Sequence, residues 1–216
     1  MKVLNLYACL GGNRYKWDEV ASEAGIELEV TAVELDEDLA KLYQERFPND
    51  TVVVADAHQY LLDHYKEFDF IWSSPPCPTH SRISISQKNI WTNRYPDMKL
   101  YQEILFLRHF FDGKYVIENV IPYYEPLIPA KKRGRHLYWT NFNLPNYLGD
   151  RERNERSKMP VIELEKLHKI DLSSYKGKQD KGKIGRNLVD YEAGKTIYNT
   201  AMGIIDNEAD TQKTLF

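Results

Sequence analysis

Cysteine is nearly absent from this chain. Two among 216 residues exclude a disulfide framework, and the pair is too small a set for a structural zinc site. Excess charge of one sign is missing as well. The 29 lysines and arginines stand against 32 acids, a net of −3, so any affinity for nucleic acid must rest on local basic patches. No apolar run approaches the ~20 residues that cross a bilayer. The start, MKVLNLYACLGG, has one lysine and a short apolar stretch that meets Gly-Gly, without the longer apolar core of a signal peptide. Internal repeats and low-complexity tracts are lacking too. These absences lead us to expect a cytoplasmic protein with no membrane attachment, working as a monomer. What is present is ordinary for a globular chain: 42% hydrophobic and 28% charged residues, over a length suited to one α/β domain with a small appendage.

Strand and helix patterns alternate from the start. Residues 2–8 read as a strand, 14–24 as a helix ending at Gly25, and LEVTAVEL as a second strand. A helix from Asp36 to Phe47 stops at Pro48, TVVVAD is a third strand, AHQYLLDHYKE a third helix and FDFIWSS a fourth strand. The strands are short, β-branched and continuously apolar, as expected when both faces are covered, and the alternation predicts a parallel sheet of βαβ units. The polar stretch from Pro78 to Pro96 reads as a long loop. A helix follows over 97–113, with Asp97 as N-cap and Gly113 as terminator, then two strands, KYVIENV and RHLYWTNF. From Asn143 the chain is charged and poor in apolar periodicity. A helical pattern resumes near Asp190 and runs to about Ile205, and an acidic tail closes the sequence.

In open α/β sheets ligands sit outside the carboxyl ends of the strands. Here the first strand ends in Gly11 and Gly12, which would let a backbone approach a ligand closely. Glu34 ends the second strand, placed to take two ribose hydroxyls, and Asp56 ends the third, placed to hold an adenine amino group. Taken singly, glycines make turns and acids cap helices. The three together, without the G-x-G-x-x-G of a dinucleotide site, favour a nucleoside ligand lacking a pyrophosphate, such as S-adenosylmethionine. The stretch DFIWSSPPCPTHSR then sets Cys77 on the same edge, behind two prolines that fix the backbone ahead of it. A cysteine is more often inert core, but this position reverses that reading. Glu118 sits inside the apolar run YVIENVI, where an unpaired carboxylate is costly and therefore purposeful. Arg133 and Arg135 read as alternate positions of one strand, hence one face.

In order along the chain, NLYACLGG, AVELD, VVVADA, SSPPCPTHS, VIENV and KKRGRHLYWTNF resemble the motifs of the cytosine-5 DNA methyltransferase family. GRNLVDYEAGKTIYN resembles the C-terminal helix that returns to the cofactor pocket. The resemblance covers most of residues 1–142 and about 184–200, with Tyr7 in the aromatic position of the first motif and Cys9 where its first glycine stands. It implies a Rossmann-like S-adenosylmethionine-dependent methyltransferase fold, with a mixed, mostly parallel sheet and no metal. The implied cofactor residues are Tyr7, Ala8, Gly11, Gly12, Glu34, Leu35, Asp56, Ala57 and Pro75.

The implied chemistry explains the residue types. Carbon 5 of cytosine is a poor nucleophile until a thiolate adds at carbon 6. Cys77 is the implied thiolate, Glu118 the donor to ring nitrogen 3, and Arg133 and Arg135 the fixed positive charges near the base. The implied partner is double-stranded DNA with its target cytosine flipped out of the helix. Ser81, Arg82 and Asn119 are the expected contacts beside it, Asn119 also orienting the loop. The resemblance divides the chain into a catalytic domain (1–142), a short target-recognition region (143–183), a returning helix (184–206) and a flexible tail (207–216). In the recognition region Arg151, Arg153, Lys178 and Lys181 read equally as phosphate contacts or as a solvated charged face. Two other functions stay open: methylation of tRNA, and a non-catalytic DNA-binding relative. The last residues, QKTLF, resemble the peptide that bacterial replication proteins insert into the sliding clamp.

Overall fold

A computed structural model describes residues 1–81, 95–149 and 159–204. Seven strands form one sheet: β1 (Lys2–Leu6), β2 (Glu29–Glu34), β3 (Thr51–Val54), β4 (Phe70–Ser73), β5 (Lys114–Val120), β6 (Lys131–Arg133) and β7 (His136–Thr140). Their order across the sheet is β3-β2-β1-β4-β5-β7-β6. The first five run parallel, and β7 enters antiparallel beside β5. The alternating pattern of the first half thus produces the expected mixed, mostly parallel sheet. Among the described residues no helix is long and apolar enough to cross a membrane.

Neighbouring residues of each central strand serve opposite faces. Val3, Phe70, Trp72, Val116 and Tyr138 meet α1 (Trp17–Glu23) and α7 (Tyr191–Ala201), where Trp17 stacks on Tyr198 at 5.1 Å. Leu4, Leu6, Ile71, Ile117, Leu137 and Trp139 meet α3 (Ala57–His64) and α4 (Lys99–Phe110). This two-sided burial is why the strands read as unbroken apolar runs. Helix α2 (Glu37–Arg46) contributes Tyr43, which joins Phe47 against Ala8 and Ala32. Aspartates start the helices at the ligand edge: Asp36 accepts from the amides of Asp38 and Leu39, and Asp56 from that of Gln59.

Three expectations change. The helix foreseen over 14–24 starts only at Trp17, because Arg14 turns inward to Asp50 at 2.9 Å and to Asp18 at 2.8 Å. Arg133 and Arg135 do not share a strand. Arg133 ends β6, His136 is its partner at the start of β7, and Gly134 and Arg135 form the two-residue turn between them, with Gly134 at φ 52°. Two short helices also appear where no periodicity was visible, α5 (Val161–His168) and α6 (Lys181–Asn187). Leu172, Tyr175, Ile184 and Leu188 of this segment pack on Leu10 and Leu39. Tyr175 and Gln179 also hydrogen-bond Asp36 Oδ2, at 3.0 and 3.1 Å. Much of the segment expected to read target sequence therefore seats on the cofactor side of the sheet.

Candidate active site

The parallel register brings Tyr7 to Cys9, Glu34 and Leu35, Asp56 and Ala57, and Ser74 and Pro75 to one edge. The turn after β1 is strained: Tyr7 and Cys9 take φ of 56° and 48° without being glycine. Four hydrogen bonds hold it. The Ala8 amide donates to Val33 O, the Gly11 amide to Ala8 O, the Cys9 amide to Glu34 Oε2 at 2.8 Å, and the Tyr7 hydroxyl to Glu103 Oε1 at 2.6 Å. Glu103 is fully buried and also takes Ser73 Oγ at 2.6 Å and His58 Nδ1 at 3.0 Å. One carboxyl group on α4 thereby joins the ends of β1 and β4 to the start of α3.

The glycines of this turn have a cause in the packing of the protein itself. A Cβ at Gly11, which sits at φ 64°, would lie 2.5 Å from the Phe47 ring and 2.8 Å from Tyr43. A Cβ at Gly12 would lie 2.5 Å from Val189 O. Protein packing is by itself enough to require glycine at both positions. The contact is reciprocal, since Gly194 on α7 approaches Asn13 so closely that its Cβ would lie 2.2 Å from Asn13 O.

Glu34 Oε1 accepts the Asp36 amide at 2.9 Å, and burial raises its pKa. Asp56 is held below the usual carboxylate range, first by the Gln59 amide, and Lys99 Nζ stands 3.4 Å from its Oδ2. Leu35 follows Glu34 on the same edge and is 68% exposed, while Ala8, Ala57 and Pro75 are buried. Two acids with lone pairs to spare, on one edge with an exposed apolar side chain, suit a nucleoside such as that of S-adenosylmethionine: hydroxyls and an amino group for the acids, a flat base for Leu35.

The nucleophile loop leaves β4 through Ser74, Pro75 and Pro76. Cys77 O then accepts the amides of both His80 and Ser81 at 3.0 Å. Asn119 donates from Nδ2 to Pro75 O at 3.0 Å. It is 2% exposed, so it holds the loop and does not face nucleic acid as expected. Ser81 bridges to Pro122, the Tyr123 amide donates to His80 O at 3.1 Å, and His80 Nδ1 meets the Tyr124 hydroxyl at 2.5 Å. The segment after β5 therefore fixes both the approach to Cys77 and the exit from it.

Burial pushes the Cys77 thiol up, and the Glu118 carboxylate pushes it further, while the Lys183 ammonium pulls it back. Cys77 thus lies in the field of Glu118, on the adjacent strand. Glu118 is 8% exposed on β5, with His136 Nε2 3.5 Å from its Oε1. Arg133 is turned elsewhere: its guanidinium donates to the carbonyls of Lys132, Leu144 and Pro145. That engagement fastens the chain after β7. Arg135 is exposed at the hairpin turn. Lys178 is exposed, and Lys181 Nζ reaches Ser173 O at 3.4 Å. Arg82, Arg151, Arg153 and the terminal QKTLF lie outside the described residues.

Sequence reasoning overlooked Glu103 and His136. Glu103 had a signal, because it falls in the apolar stripe of α4 with Leu100, Ile104 and Leu107. His136 had one too, sharing strand parity with the buried Tyr138.

This fold is the mixed, mostly parallel Rossmann-like fold of S-adenosylmethionine-dependent methyltransferases. A methyltransferase from Entamoeba histolytica, EhMeth, matches it with a TM-score of 0.56 over 94% of this chain and 98% of that one, at 11% identity. The chain belongs to the C-5 cytosine-specific DNA methylase family, whose model matches residues 1–121. It is also similar to a variant of Spodoptera frugiperda DNMT2 (24% identity, TM-score 0.39), over 55% of this chain and 35% of the other. A putative DNA modification methyltransferase encoded in an Escherichia coli prophage matches at 18% identity and a TM-score of 0.38, over 58% of this chain and 33% of that one. The chain thus spans about a third of the length of these last two. No curated protein matches it.

Proposed function

We propose that this protein methylates carbon 5 of cytosine in DNA, using S-adenosylmethionine and a transient bond from Cys77 to the base. The observation that carries this reading is the placement of Cys77 just past the end of β4 and of Glu118 on the adjacent parallel strand β5, in a chain of the cytosine-5 family. When bound, S-adenosylmethionine supplies an electrophilic methyl group. Glu34 binds its ribose, Leu35 and Asp56 its base, and Tyr7, Ala8, Ala57 and Pro75 shape the wall, with Gly11 and Gly12 keeping the turn tight.

The Cys77 thiol gives its proton, through solvent, to the Glu118 carboxylate; the thiolate then adds to carbon 6 of the flipped base, and the ring π electrons move toward nitrogen 3. Glu118 gives its proton to nitrogen 3, which stabilises that charge. Carbon 5 then takes the methyl group. Loss of the carbon 5 proton to water expels the Cys77 sulfur, and nitrogen 3 returns its proton to Glu118. The same proton on Glu118 serves twice, because a neutral Glu118 no longer opposes ionisation of Cys77. Arg135 at the hairpin turn supplies positive charge near the base, Ser81 lies beside it, and Arg82 serves as a further DNA contact. Arg151, Arg153, Lys178 and Lys181 contact phosphates, which gives affinity without a sequence code.

Bisulfite sequencing of DNA from cells expressing the protein, beside a Cys77→Ser control, tests this. New cytosine methylation that vanishes in the control is the expected result. Methylation found in tRNA and absent from DNA would overturn the choice of substrate, and none in either would overturn the reaction.

A second expectation follows from the signs at the thiol. Glu118→Gln removes the carboxylate that helps keep Cys77 protonated, so alkylation of Cys77 by iodoacetamide near neutral pH accelerates roughly threefold or more, even as methyl transfer falls. Lys183→Gln slows the same alkylation. Peptide mass spectrometry separates the two cysteines, since burial pushes Cys9 up to about 12 and leaves it unreactive. An unchanged rate in both variants would contradict this electrostatic account.

A further inference from the structure

We propose that His136 is a positioning residue for Glu118, holding its carboxyl toward the base and steadying it once its proton has passed to nitrogen 3. The proposal rests on the cytosine reading above. Its basis is the close approach of the two side chains, with His136 Nε2 3.5 Å from Glu118 Oε1 and their side chains 26% and 10% exposed.

The sheet makes this approach a consequence of register. Glu118 pairs with Tyr138, and Val120 with His136, across the antiparallel β5–β7 ladder. Glu118 and His136 are therefore diagonal neighbours on one face of the sheet, within reach of long side chains. Two features leave the imidazole committed to Glu118. Arg133, directly opposite His136 on β6, spends its guanidinium on the carbonyls of Lys132, Leu144 and Pro145. Tyr138 stands edge-on to the imidazole, with ring centroids 6.4 Å apart, and limits its swing.

The chemistry is that of a donor beside an acid that must become negative. In the tautomer with hydrogen on Nε2, a small turn of the imidazole from its 3.5 Å separation lets His136 donate to Glu118 Oε1. When the Glu118 proton moves to nitrogen 3, the acceptor becomes a carboxylate, and a hydrogen bond to an ionised acceptor is roughly twice as strong as a neutral one. The contact thus strengthens along the reaction coordinate, which lowers the barrier without tightening ground-state binding. No proton leaves His136, so the balance of the step is unchanged.

The test uses the full-length protein with His136→Leu and His136→Gln. Tritiated S-adenosylmethionine and unmethylated bacteriophage DNA report kcat and the KM for DNA. Binding of sinefungin and thermal unfolding report the cofactor site and the fold. His136→Leu should lower kcat by roughly 10- to 100-fold, the worth of one charge-assisted hydrogen bond, with KM, sinefungin affinity and thermal midpoint unchanged. His136→Gln, whose amide keeps a donor near the Nε2 position, should recover kcat to within about threefold of wild type. A Leu variant with wild-type kcat, a Gln variant as slow as Leu, or a change confined to KM would overturn the proposal. A wild-type protein that methylates no DNA is a separate outcome, which removes the cytosine reading and this inference with it.

Discussion

Serine in place of Cys77 abolishes methyl transfer, with a fall on the order of 10^4-fold or more, the scale on which removal of a covalent nucleophile acts. Serine keeps the shape of the loop, because the hydrogen bonds that build it run through Cys77 O and not through the sulfur. The backbone at this site is fixed by Asn119 on Pro75 and by the Ser81–Pro122 bridge. An oxygen there is far less acidic than sulfur, and Glu118, the nearby carboxyl, is committed to nitrogen 3, so nothing activates the hydroxyl. Cys77 is only partly buried, so the fold should be unaffected, with a stability change within about 0.5 kcal/mol. A Cys77→Ser protein that methylates at the wild-type rate would remove the covalent step from the mechanism.

Alanine at Gly194 should destabilise the protein strongly in the absence of any ligand. The added Cβ would stand 2.2 Å from Asn13 O and 2.7 Å from Asn13 Cα, and both are backbone atoms that cannot swing aside. Overpacking of this kind costs about 3 kcal/mol, or a fall of roughly 6–12 °C in Tm for a chain of this size. Gly12→Ala, which drives a Cβ into Val189 O, should act similarly. Gly25→Ala is the control: it has φ 65° but open space around its Cβ, so it costs only the left-handed penalty of about 1–2 kcal/mol. If Gly12→Ala and Gly194→Ala melted like wild type and lost only cofactor affinity, the glycines would serve a ligand after all.

The part of the fold that was legible in the sequence is the part whose signal is local. The unbroken apolar run Phe70 to Trp72 announced a strand covered on both faces, Val52 to Val54 announced a strand that the fold leaves half-exposed at the sheet edge, and acids such as Asp36 and Asp56 marked helix starts beside the ligand edge. Lys114 to Val120 appeared as a strand with the bounds it has in the fold. The hairpin of β6 and β7 was illegible because its first strand, Lys131 to Arg133, is wholly charged and gains its pairing from β7 alone. Helices α5 and α6 were hidden for a related reason. Each is two turns long, and their buried residues Leu164, Leu167 and Ile184 are separated by charges, too few for a period to show. At the site, Cys77 and Glu118 were readable because a reactive side chain in an apolar setting is costly and needs a reason. The packing at Gly12 was hidden because sequence shows that space is required without showing what fills it: Val189, some 180 residues away in the chain, lies beside the turn in space. Arg133 was misread because parity along a supposed strand took no account of the turn at Gly134.

The central claim is tested most directly by trapping the adduct. A DNA oligonucleotide with 5-fluorocytosine in place of cytosine carries fluorine where the departing proton would be, so the sulfur cannot be expelled after methyl transfer and the base stays attached. The protein is incubated with a pool of such duplexes and S-adenosylmethionine, then digested and mapped by mass spectrometry. The account predicts a methylated fluoropyrimidine on Cys77, dependent on S-adenosylmethionine and missing from Cys77→Ser. Methylation of ordinary DNA by the same preparation, with no adduct formed or with the adduct on another residue, would contradict it.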